Sequence, residues 1–113
     1  MVYIVDIDGT ICTISKDLTY EDSKPFEDRI EKLNKLYDEG HTILYNTARG
    51  MGRHGNRRSM AEADFYLFTA RQLKSWGVKY HQLFLGKPAG DIYIDDKAMK
   101  DGDFFEDSDE VRP

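Results

Sequence analysis

Two aspartates near the start of the chain stand one residue apart and could do chemistry together. Asp6 and Asp8 follow a short apolar run and precede Gly9, which lets the backbone turn away closely beneath them. A carboxylate can attack phosphorus and form an aspartyl phosphate, which water then removes. A neighbouring acid could protonate the leaving alkoxide and later activate that water. The spacing predicts that one aspartate attacks while the other handles protons.

Three further positions carry side chains that suit a phosphate or a cation. Thr47 offers a hydroxyl donor, Lys87 offers a point charge, and Asp95 and Asp96 form a second acidic pair. Phosphoryl transfer spreads negative charge over the equatorial oxygens, which such donors and a metal stabilise. A cluster of up to four carboxylates needs a cation, and oxygen ligands without Cys or His favour Mg²⁺ over zinc.

A basic loop at residues 49–58 stands out in an otherwise acidic chain. Its cationic or titratable side chains are Arg49, Arg53, His54, Arg57 and Arg58. Arginine suits phosphate and carboxylate because its planar guanidinium donates paired hydrogen bonds. We predict substrate binding by the first three, and the alternative is a solvated loop that balances nearby acids.

The elements that position these residues alternate between strand and helix. Strands are predicted at residues 2–5, 42–45, 80–85 and 91–94, and helices from Pro25 to a cap at Gly40 and over 60–76. Short apolar, β-branched runs are typical of strands buried on both faces of a parallel sheet. This order predicts an α/β domain with right-handed crossovers. Ligands of such sheets gather at the carboxyl ends of the strands, where the polar residues above are predicted to lie.

Smaller features complete the expected fold. Asp22 or Ser23 is expected to cap the first helix, and residues 9–24 are expected to be irregular or a hairpin. The predicted core stripes are Phe26, Ile30, Leu33, Leu36 and Tyr37 on the first helix, and Ala63, Leu67, Ala70 and Leu73 on the second. The tail 101–110, with six acids among ten residues, is expected to be solvated or partly docked.

Bulk properties bound the class of protein. With 113 residues, 40% of them hydrophobic, residues 1–113 are expected to form a single domain. The net charge of -5 argues against general affinity for nucleic acid or acidic membranes. The single Cys12 cannot form an internal disulfide and is expected to be a buried thiol, and no signal peptide or long apolar run is present. We expect a cytoplasmic protein without a membrane partner, and a homo-oligomer is one option.

The motifs and their order resemble those of the haloacid dehalogenase-like superfamily. The sequence DIDGT at residues 6–10 looks like motif one, Thr47 like motif two, Lys87 like motif three, and residues 95–96 like the acidic motif four. The resemblance implies that Asp6 is the nucleophile, that Asp8 is the general acid and base, and that Thr47 and Lys87 bind the phosphate.

The same resemblance implies Mg²⁺ as the cofactor. Its ligands would be the Asp6 carboxylate, the Asp8 backbone carbonyl and Asp96, with Asp95 helping through water. An aspartate at position 8 favours a phosphatase over a dehalogenase or phosphonatase, because an alkoxide leaving group needs an acid.

The intervals between motifs leave no room for a cap domain. Only 38 residues separate Asp8 from Thr47, and 39 separate Thr47 from Lys87. The resemblance therefore implies a capless, Rossmann-like three-layer sandwich with a mostly parallel sheet.

Among capless members, the segments 46–51, 86–88 and 93–98 look similar to phosphatases of bacterial capsule and surface-polysaccharide biosynthesis. A phosphosugar or related precursor is therefore the leading substrate class. Polynucleotide 3'-phosphatases share part of the pattern, so a nucleic-acid 3'-phosphate is the second candidate. The remaining alternatives are a catalytically silent phosphate- or metal-binding module and a phosphomutase.

Overall fold

Strands and helices alternate along residues 1–14 and 19–106, the part of the chain that the computed structural model describes. The elements in chain order are β1 (Val2–Val5), a short 3-10 helix (Tyr20–Asp22), α1 (Glu27–Asp38), β2 (Thr42–Thr47), α2 (Arg58–Ser75), β3 (Gln82–Leu85) and α3 (Asp101–Phe105). None of the helices in this part of the chain combines the length and apolarity that crossing a bilayer requires.

The three strands form one parallel sheet in the order β1-β2-β3. Val5 of β1 is level with Tyr45 of β2, and Thr47 at the end of β2 is level with Leu85 of β3. Parallel neighbours need crossover connections, which α1 and α2 supply. All three carboxyl ends therefore meet at one edge, and the predicted α/β class with a parallel sheet is confirmed, with no cap domain among residues 1–14 and 19–106.

One face of this sheet packs against helices, whereas the other is open among the described residues. Ile43, Tyr45 and Leu83 point to the covered face and are buried. Val2 and Ile4 point the opposite way, since side chains alternate along a strand, and are 62% and 68% exposed. The expectation that the first strand is buried on both faces is therefore wrong here, and a third layer would have to cover this open face.

The first helix begins two residues later than predicted. The N-cap of α1 is Phe26, which makes no side-chain cap hydrogen bond, so the predicted caps Asp22 and Ser23 are wrong. Instead, the Phe26 amide donates to the carbonyl of Ile11 at 2.8 Å. Pro25 also forms an isolated antiparallel bridge with Cys12, so the start of α1 is joined to the segment that follows the turn after β1.

The predicted helix ends and the first core stripe are confirmed. Gly40 and Gly77 follow α1 and α2 with φ angles of 98° and 72°, in the left-handed region that ends helices. The stripe residues are buried or pack against the core: Phe26, Ile30, Leu33, Leu36 and Tyr37.

The buried face of α2 differs from the predicted one. It consists of Ala61, Phe65, Thr69, Ala70 and Leu73, all buried or partly buried. The predicted members Ala63 and Leu67 are exposed, the latter to 67%. The predicted members Ala70 and Leu73 are confirmed, whereas hydrophobic periodicity misses Thr69, which is polar, and Ala61, which is small.

Residues 91–94 do not form the predicted fourth strand. Ile92, Tyr93 and Ile94 are 79%, 50% and 94% exposed. The Tyr93 hydroxyl donates to the carbonyl of Pro88 at 2.6 Å. Apolar β-branched residues indicate strand propensity, but a strand also needs a neighbouring edge to accept and donate its backbone hydrogen bonds.

The acidic tail is docked as far as residue 106, and residues 107–110 of the predicted tail lie outside the described chain. Phe104 packs against Tyr3, with ring centroids 5.7 Å apart, and the Arg29 guanidinium lies 4.6 Å from the Phe105 ring centroid. Arg29 Nη1 also pairs with Asp101 Oδ2 at 2.8 Å. The expectation of a partly docked terminus is confirmed for α3.

The core contains a buried hydroxyl whose removal is expected to stabilise the fold. Tyr45 is fully buried, and among residues 1–14 and 19–106 its hydroxyl has no hydrogen-bond partner. Tyr45→Phe removes this unsatisfied group, so we expect the free energy of unfolding to rise by about 1 kcal/mol. Urea unfolding measures it, with the partly buried Tyr80→Phe as a control that should change little. A loss of stability in Tyr45→Phe would mean that its hydroxyl has a partner.

Candidate active site

A tight turn after β1 carries the two aspartates. The Ile11 amide donates to the carbonyl of Ile7 at 2.9 Å, and the Gly9 amide donates to the carbonyl of Cys12 at 2.8 Å. Gly9 has a φ of 82°, and a Cβ there would lie 2.9 Å from Cδ1 of Ile14. Only glycine fits this position without strain, so the turn beneath the acids is built as the sequence predicts.

The irregular segment that follows is hairpin-like on both sides of residues 15–18, which lie outside the described chain. The Thr13 amide donates to the carbonyl of Lys24 at 2.9 Å, and the Lys24 amide donates to Thr13 Oγ1 at 2.9 Å. This pairing fixes the far side of the turn and places the short 3-10 helix over the site.

Asp6 lies at the carboxyl end of β1 with its side chain about a third exposed, at 35%. Its Oδ1 is 3.6 Å from Lys87 Nζ, and the Thr10 hydroxyl approaches its Oδ2 at 3.5 Å. Desolvation raises the pKa of Asp6, and the charge of Asp8 adds to this, while Lys87 and the Ile7 amide act in the opposite direction. The carboxylate is thus reachable from outside and is held beside a cation.

Lys87 and Thr47 sit at the ends of neighbouring strands. The Lys87 amide donates to the carbonyl of Thr47 at 3.2 Å, which ties the loop after β3 to the end of β2. Thr47 is buried, and its hydroxyl accepts the Arg49 amide at 3.2 Å, which leaves the hydroxyl hydrogen to be donated. The strand reaches Thr47, two residues beyond its predicted end. Lys87 Nζ also lies 4.3 Å from the Tyr93 ring centroid.

Arg49 points inward, away from a substrate. Its side chain is fully buried and pairs with Asp8 through two bonds, Nε to Oδ2 at 2.9 Å and Nη2 to Oδ1 at 3.0 Å. A guanidinium charge in the interior needs such a partner, because desolvation is costly for an unpaired ion. The contacts of Arg49 are with Asp8 on the turn after β1, and its predicted binding of substrate stays a prediction.

The other two residues of this loop that are predicted to bind substrate, Arg53 and His54, differ in their contacts. Arg53 is exposed, with its guanidinium 5.0 Å from the Phe65 ring centroid. His54 Nε2 lies 2.6 Å from Asp64 Oδ2, which anchors the loop to α2. Arg53 is thus the exposed one of the two and His54 is paired with Asp64, and substrate binding by either residue stays a prediction.

Asp95 and Asp96 are not gathered with the other acids. Both are exposed in the segment that was predicted to follow a strand. Asp95 Oδ1 accepts the Lys97 amide at 2.9 Å, and this bond is the main cause of a lowered pKa of Asp95, with Asp96 contributing. Within residues 1–14 and 19–106 no group of three or more His, Cys, Asp or Glu side chains could hold a metal.

The donor set therefore fits a magnesium ion only in part. The turn after β1 presents the Asp6 carboxylate beside the Asp8 backbone, which are hard oxygen donors of the kind that Mg²⁺ prefers. The further carboxylates of the predicted cluster remain on the exposed segment, so residues 91–96 would have to approach β1 to complete it.

Two residues without a predicted role, the aromatic Tyr20 and the polar Thr69, contact Arg49 and the residue after it. The Tyr20 hydroxyl accepts the Gly50 amide at 3.1 Å, and the Tyr20 ring centroid lies 4.7 Å from the Arg49 guanidinium. Thr69 of α2 accepts Arg49 Nη1 at 3.3 Å. Tyr20 comes from an irregular segment and Thr69 from a helix interior, so neither carries a sequence signal for this role.

Cys12 is buried as expected and packs beside the turn. Its Sγ lies 3.5 Å from Asp8 Oδ1. Burial, followed by the charge of Asp8, raises the pKa of Cys12 from its ordinary value of 9.0 to about 12. The thiol is therefore protonated and unreactive at neutral pH.

Raising the pH is expected to destabilise the fold through this thiol. Because the folded pKa is raised, its contribution to stability is complete below the unfolded pKa near 9.0 and is lost as the pH rises towards about 12. Between pH 9 and 10 the wild type should lose about 1 kcal/mol more unfolding free energy than Cys12→Ala. Urea unfolding of both proteins across this range measures the difference. Parallel pH profiles would show that the thiol does not resist ionisation.

Residues 1–14 and 19–106 form an α/β fold with a three-stranded parallel sheet, and no cap domain is found among them. No protein-family model and no curated protein sequence matches the chain. A crystal structure of a Vibrio cholerae protein described as an MCSG target is similar, with a TM-score of 0.83 and 28% identity over 92% of this chain and 86% of that one.

A second solved structure is similar at lower identity. D,D-heptose 1,7-bisphosphate phosphatase from B. bronchiseptica, complexed with magnesium and phosphate, has a TM-score of 0.53 and 15% identity. The match covers 80% of this chain and 51% of that chain, so the similar region is about half of the phosphatase. At this identity the likeness shows the shared fold.

Proposed function

We propose that this chain hydrolyses a phosphate monoester with Mg²⁺ through an aspartyl phosphate at Asp6. The observation that carries the proposal is the reachable Asp6 carboxylate, which lies 3.6 Å from Lys87 Nζ at the edge where the strands end. Asp8 stands two residues away on the same turn, and Thr47 ends the adjacent strand. A nucleophile, a proton-transferring acid and two phosphate donors thus come from elements that the fold brings together.

The chemistry follows in two in-line steps. Asp6 Oδ1 attacks phosphorus, the bond from phosphorus to the leaving oxygen breaks, and Asp8 gives that oxygen a proton. Asp8 then takes a proton from a water that attacks phosphorus, and the bond between phosphorus and Asp6 breaks to release phosphate. Lys87 exchanges its contact with Asp6 for a phosphoryl oxygen, and Thr47 donates its hydroxyl hydrogen to another. When bound, Mg²⁺ would supply further neutralisation of the phosphoryl charge.

The metal part of the proposal requires residues 91–94 to pair with β1. In the sheet, β1 has β2 as its strand neighbour and Ile4 is 68% exposed, while Ile92 and Ile94 are 79% and 94% exposed on the segment before the second acidic pair. Apolar surface on both partners favours their association. Such pairing would bring Asp95 and Asp96 towards Asp6, where Asp96 would serve as a ligand and Asp95 would help through water.

Substitution of Ile94 tests this pairing without relying on activity. An aspartate on a solvated segment changes stability little, but an aspartate in a strand packed on β1 should lower the free energy of unfolding by about 2 kcal/mol. We expect Ile94→Asp to show the larger loss and to weaken the rise in melting temperature on adding Mg²⁺. The exposed Met99→Asp is the matched control. If both variants match the wild type, residues 91–94 do not pair with β1.

The proposed substrate is a phosphosugar or a related precursor of a surface polysaccharide, in the cytoplasm. The fold is shared with a phosphatase of a sugar bisphosphate, which supports this class. The net charge of -5 disfavours a polyanion, and the exposed Arg53 could contact a small phosphorylated ligand. The absence of a cap among residues 19–106 leaves the edge open, so a larger precursor could cover the site itself.

Phosphate release from a panel of substrates tests the proposed function. The panel holds sugar phosphates, nucleotides and a 3'-phosphorylated oligonucleotide, each with Mg²⁺ or with chelator. Magnesium-dependent turnover that is fastest on a sugar phosphate supports the proposal. Preference for the oligonucleotide with steep salt dependence would indicate a polynucleotide 3'-phosphatase instead. A folded protein that binds Mg²⁺ but turns over nothing would be a binding module.

A further inference from the structure

Arg49 is the most completely buried cation among the described residues of the site. Its side chain is fully buried, and its three nitrogens, Nε, Nη1 and Nη2, each donate a hydrogen bond within the protein. The ring of Tyr20 lies 4.7 Å from the guanidinium and that of Phe68 lies 6.0 Å from it. Thr69 Oγ1 accepts Nη1 at 3.3 Å. The guanidinium is therefore held by contacts with both α2 and the short 3-10 helix.

The guanidinium of Arg49 donates hydrogen bonds to both carboxylate oxygens of Asp8. The two bonds of 2.9 Å and 3.0 Å run from neighbouring nitrogens to opposite carboxylate oxygens, which is the fork arrangement that sets the plane of a carboxylate as well as its position. The Asp8 side chain keeps 21% of its surface exposed, so the paired carboxylate is not fully enclosed. A lysine could supply the charge but could not set the plane.

We propose that Arg49 is a positioning residue that orients the Asp8 carboxylate for proton transfer, rather than a ligand of the substrate. This inference rests on the proposed phosphatase function, because it assigns the orientation of that reaction's acid and base. General acid-base catalysis contributes about 10² to 10⁴ in rate, and a displacement of about 1 Å can remove about 10² of it. Loosening the grip on Asp8 should therefore slow the chemical steps while leaving substrate binding nearly intact.

Kinetics of Arg49→Lys distinguish positioning from substrate binding. We expect kcat to fall about 30- to 100-fold while KM stays within about threefold, since Lys keeps the charge but loses the fork. An arginine that bound the substrate phosphate in the ground state as in the transition state would instead raise KM and leave kcat nearly unchanged. The exposed arginine of α2 in Arg71→Lys is the matched control, with both parameters unchanged.

The leaving group gives a readout that general damage to the structure would not produce. A sugar alkoxide needs a proton from Asp8 as it leaves, whereas 4-nitrophenolate leaves with little help. We expect Arg49→Lys to lower kcat/KM for the sugar phosphate at least about tenfold more than for 4-nitrophenyl phosphate, because kcat/KM reports the first phosphoryl transfer. Equal losses on both substrates would overturn the positioning role.

A milder variant keeps the test decisive if Arg49→Lys does not fold. Thr69→Val removes the anchor of Nη1 and keeps the shape of the buried side chain, so kcat should fall about three- to tenfold, again more on the sugar phosphate. Circular dichroism and thermal unfolding report the fold of each variant. An active wild type with unchanged Thr69→Val kinetics overturns this inference alone. A wild type inactive on every substrate overturns the proposed function and the inference with it.

Discussion

Asp6→Asn is expected to abolish phosphate release, with a loss on the order of 10⁴-fold or more, the size seen when other covalent nucleophiles are removed. An amide cannot form the aspartyl phosphate, and no other group on the turn stands in its place beside Lys87. Phosphate release under saturating Mg²⁺ measures the effect. Asp38→Asn, the same change at an exposed aspartate at the end of α1, should retain full activity.

The same variant is expected to be at least as stable as the wild type. Burial raises the pKa of Asp6, so its ionisation opposes folding: the penalty is absent below the ordinary pKa of 3.8 and complete above the folded pKa. Asparagine removes the penalty at neutral pH, and the advantage should vanish in acid. Urea unfolding with chelator present measures both.

An Asp6→Asn protein that keeps a tenth of the activity would contradict the assignment of Asp6 as nucleophile.

The site could be predicted from the sequence where chemistry follows directly from a strand end. Asp6 comes after β1 and Thr47 ends β2, and parallel pairing makes those ends adjacent whatever the details of packing. Gly9 predicted the turn, and its φ of 82° lies in the left-handed region that favours glycine. These features depend on local chain geometry and on the topology of the sheet, which periodicity reveals.

The predictions that differ from the structure concern side chains whose burial depends on which surfaces pack against each other. Leu67 is hydrophobic but 67% exposed. The polar Thr69 is buried, and its hydroxyl accepts a hydrogen bond from Arg49 there. Arg49 itself looks like a surface cation in the sequence, yet its partner Asp8 lies 41 residues away. Pairs of residues so far apart in sequence leave no periodic pattern. Whether such a side chain points into the core or towards solvent is therefore known only from the fold.

The strand predicted at residues 91–94 illustrates the same limit in another way. Ile92 and Ile94 are apolar and β-branched, but a strand forms only by pairing with an edge, and residues 91–94 pair with no strand among the described residues. Among the described residues, one edge of β1 and the segment 91–94 each lack a strand to pair with. Pairing them is a proposal with a direct test in Ile94→Asp, and the metal ligands at positions 95 and 96 depend on its result.

Asp8→Asn is expected to destabilise the fold by about 3 kcal/mol, in contrast to Asp6→Asn two residues away. Asp8 neutralises the fully buried guanidinium of Arg49 through two bonds of 2.9 Å and 3.0 Å. Removing one partner of a buried ion pair leaves an uncompensated charge, which costs about 3 to 5 kcal/mol. The lower end applies because the Asp8 side chain is 21% exposed. Urea unfolding of the two asparagine variants at pH 7 measures the contrast.

A second substitution shows whether the loss comes from the stranded charge. Replacing the cation as well, in Asp8→Asn with Arg49→Met, removes the charge that asparagine leaves unpaired, and buried pairs exchanged for apolar groups are often neutral in stability. We therefore expect the double variant to recover about 2 kcal/mol relative to Asp8→Asn alone. Additive losses would mean that Arg49 and Asp8 stabilise the fold independently. Recovery of stability without recovery of phosphate release would separate the structural role of the pair from the proton transfer that we assign to Asp8.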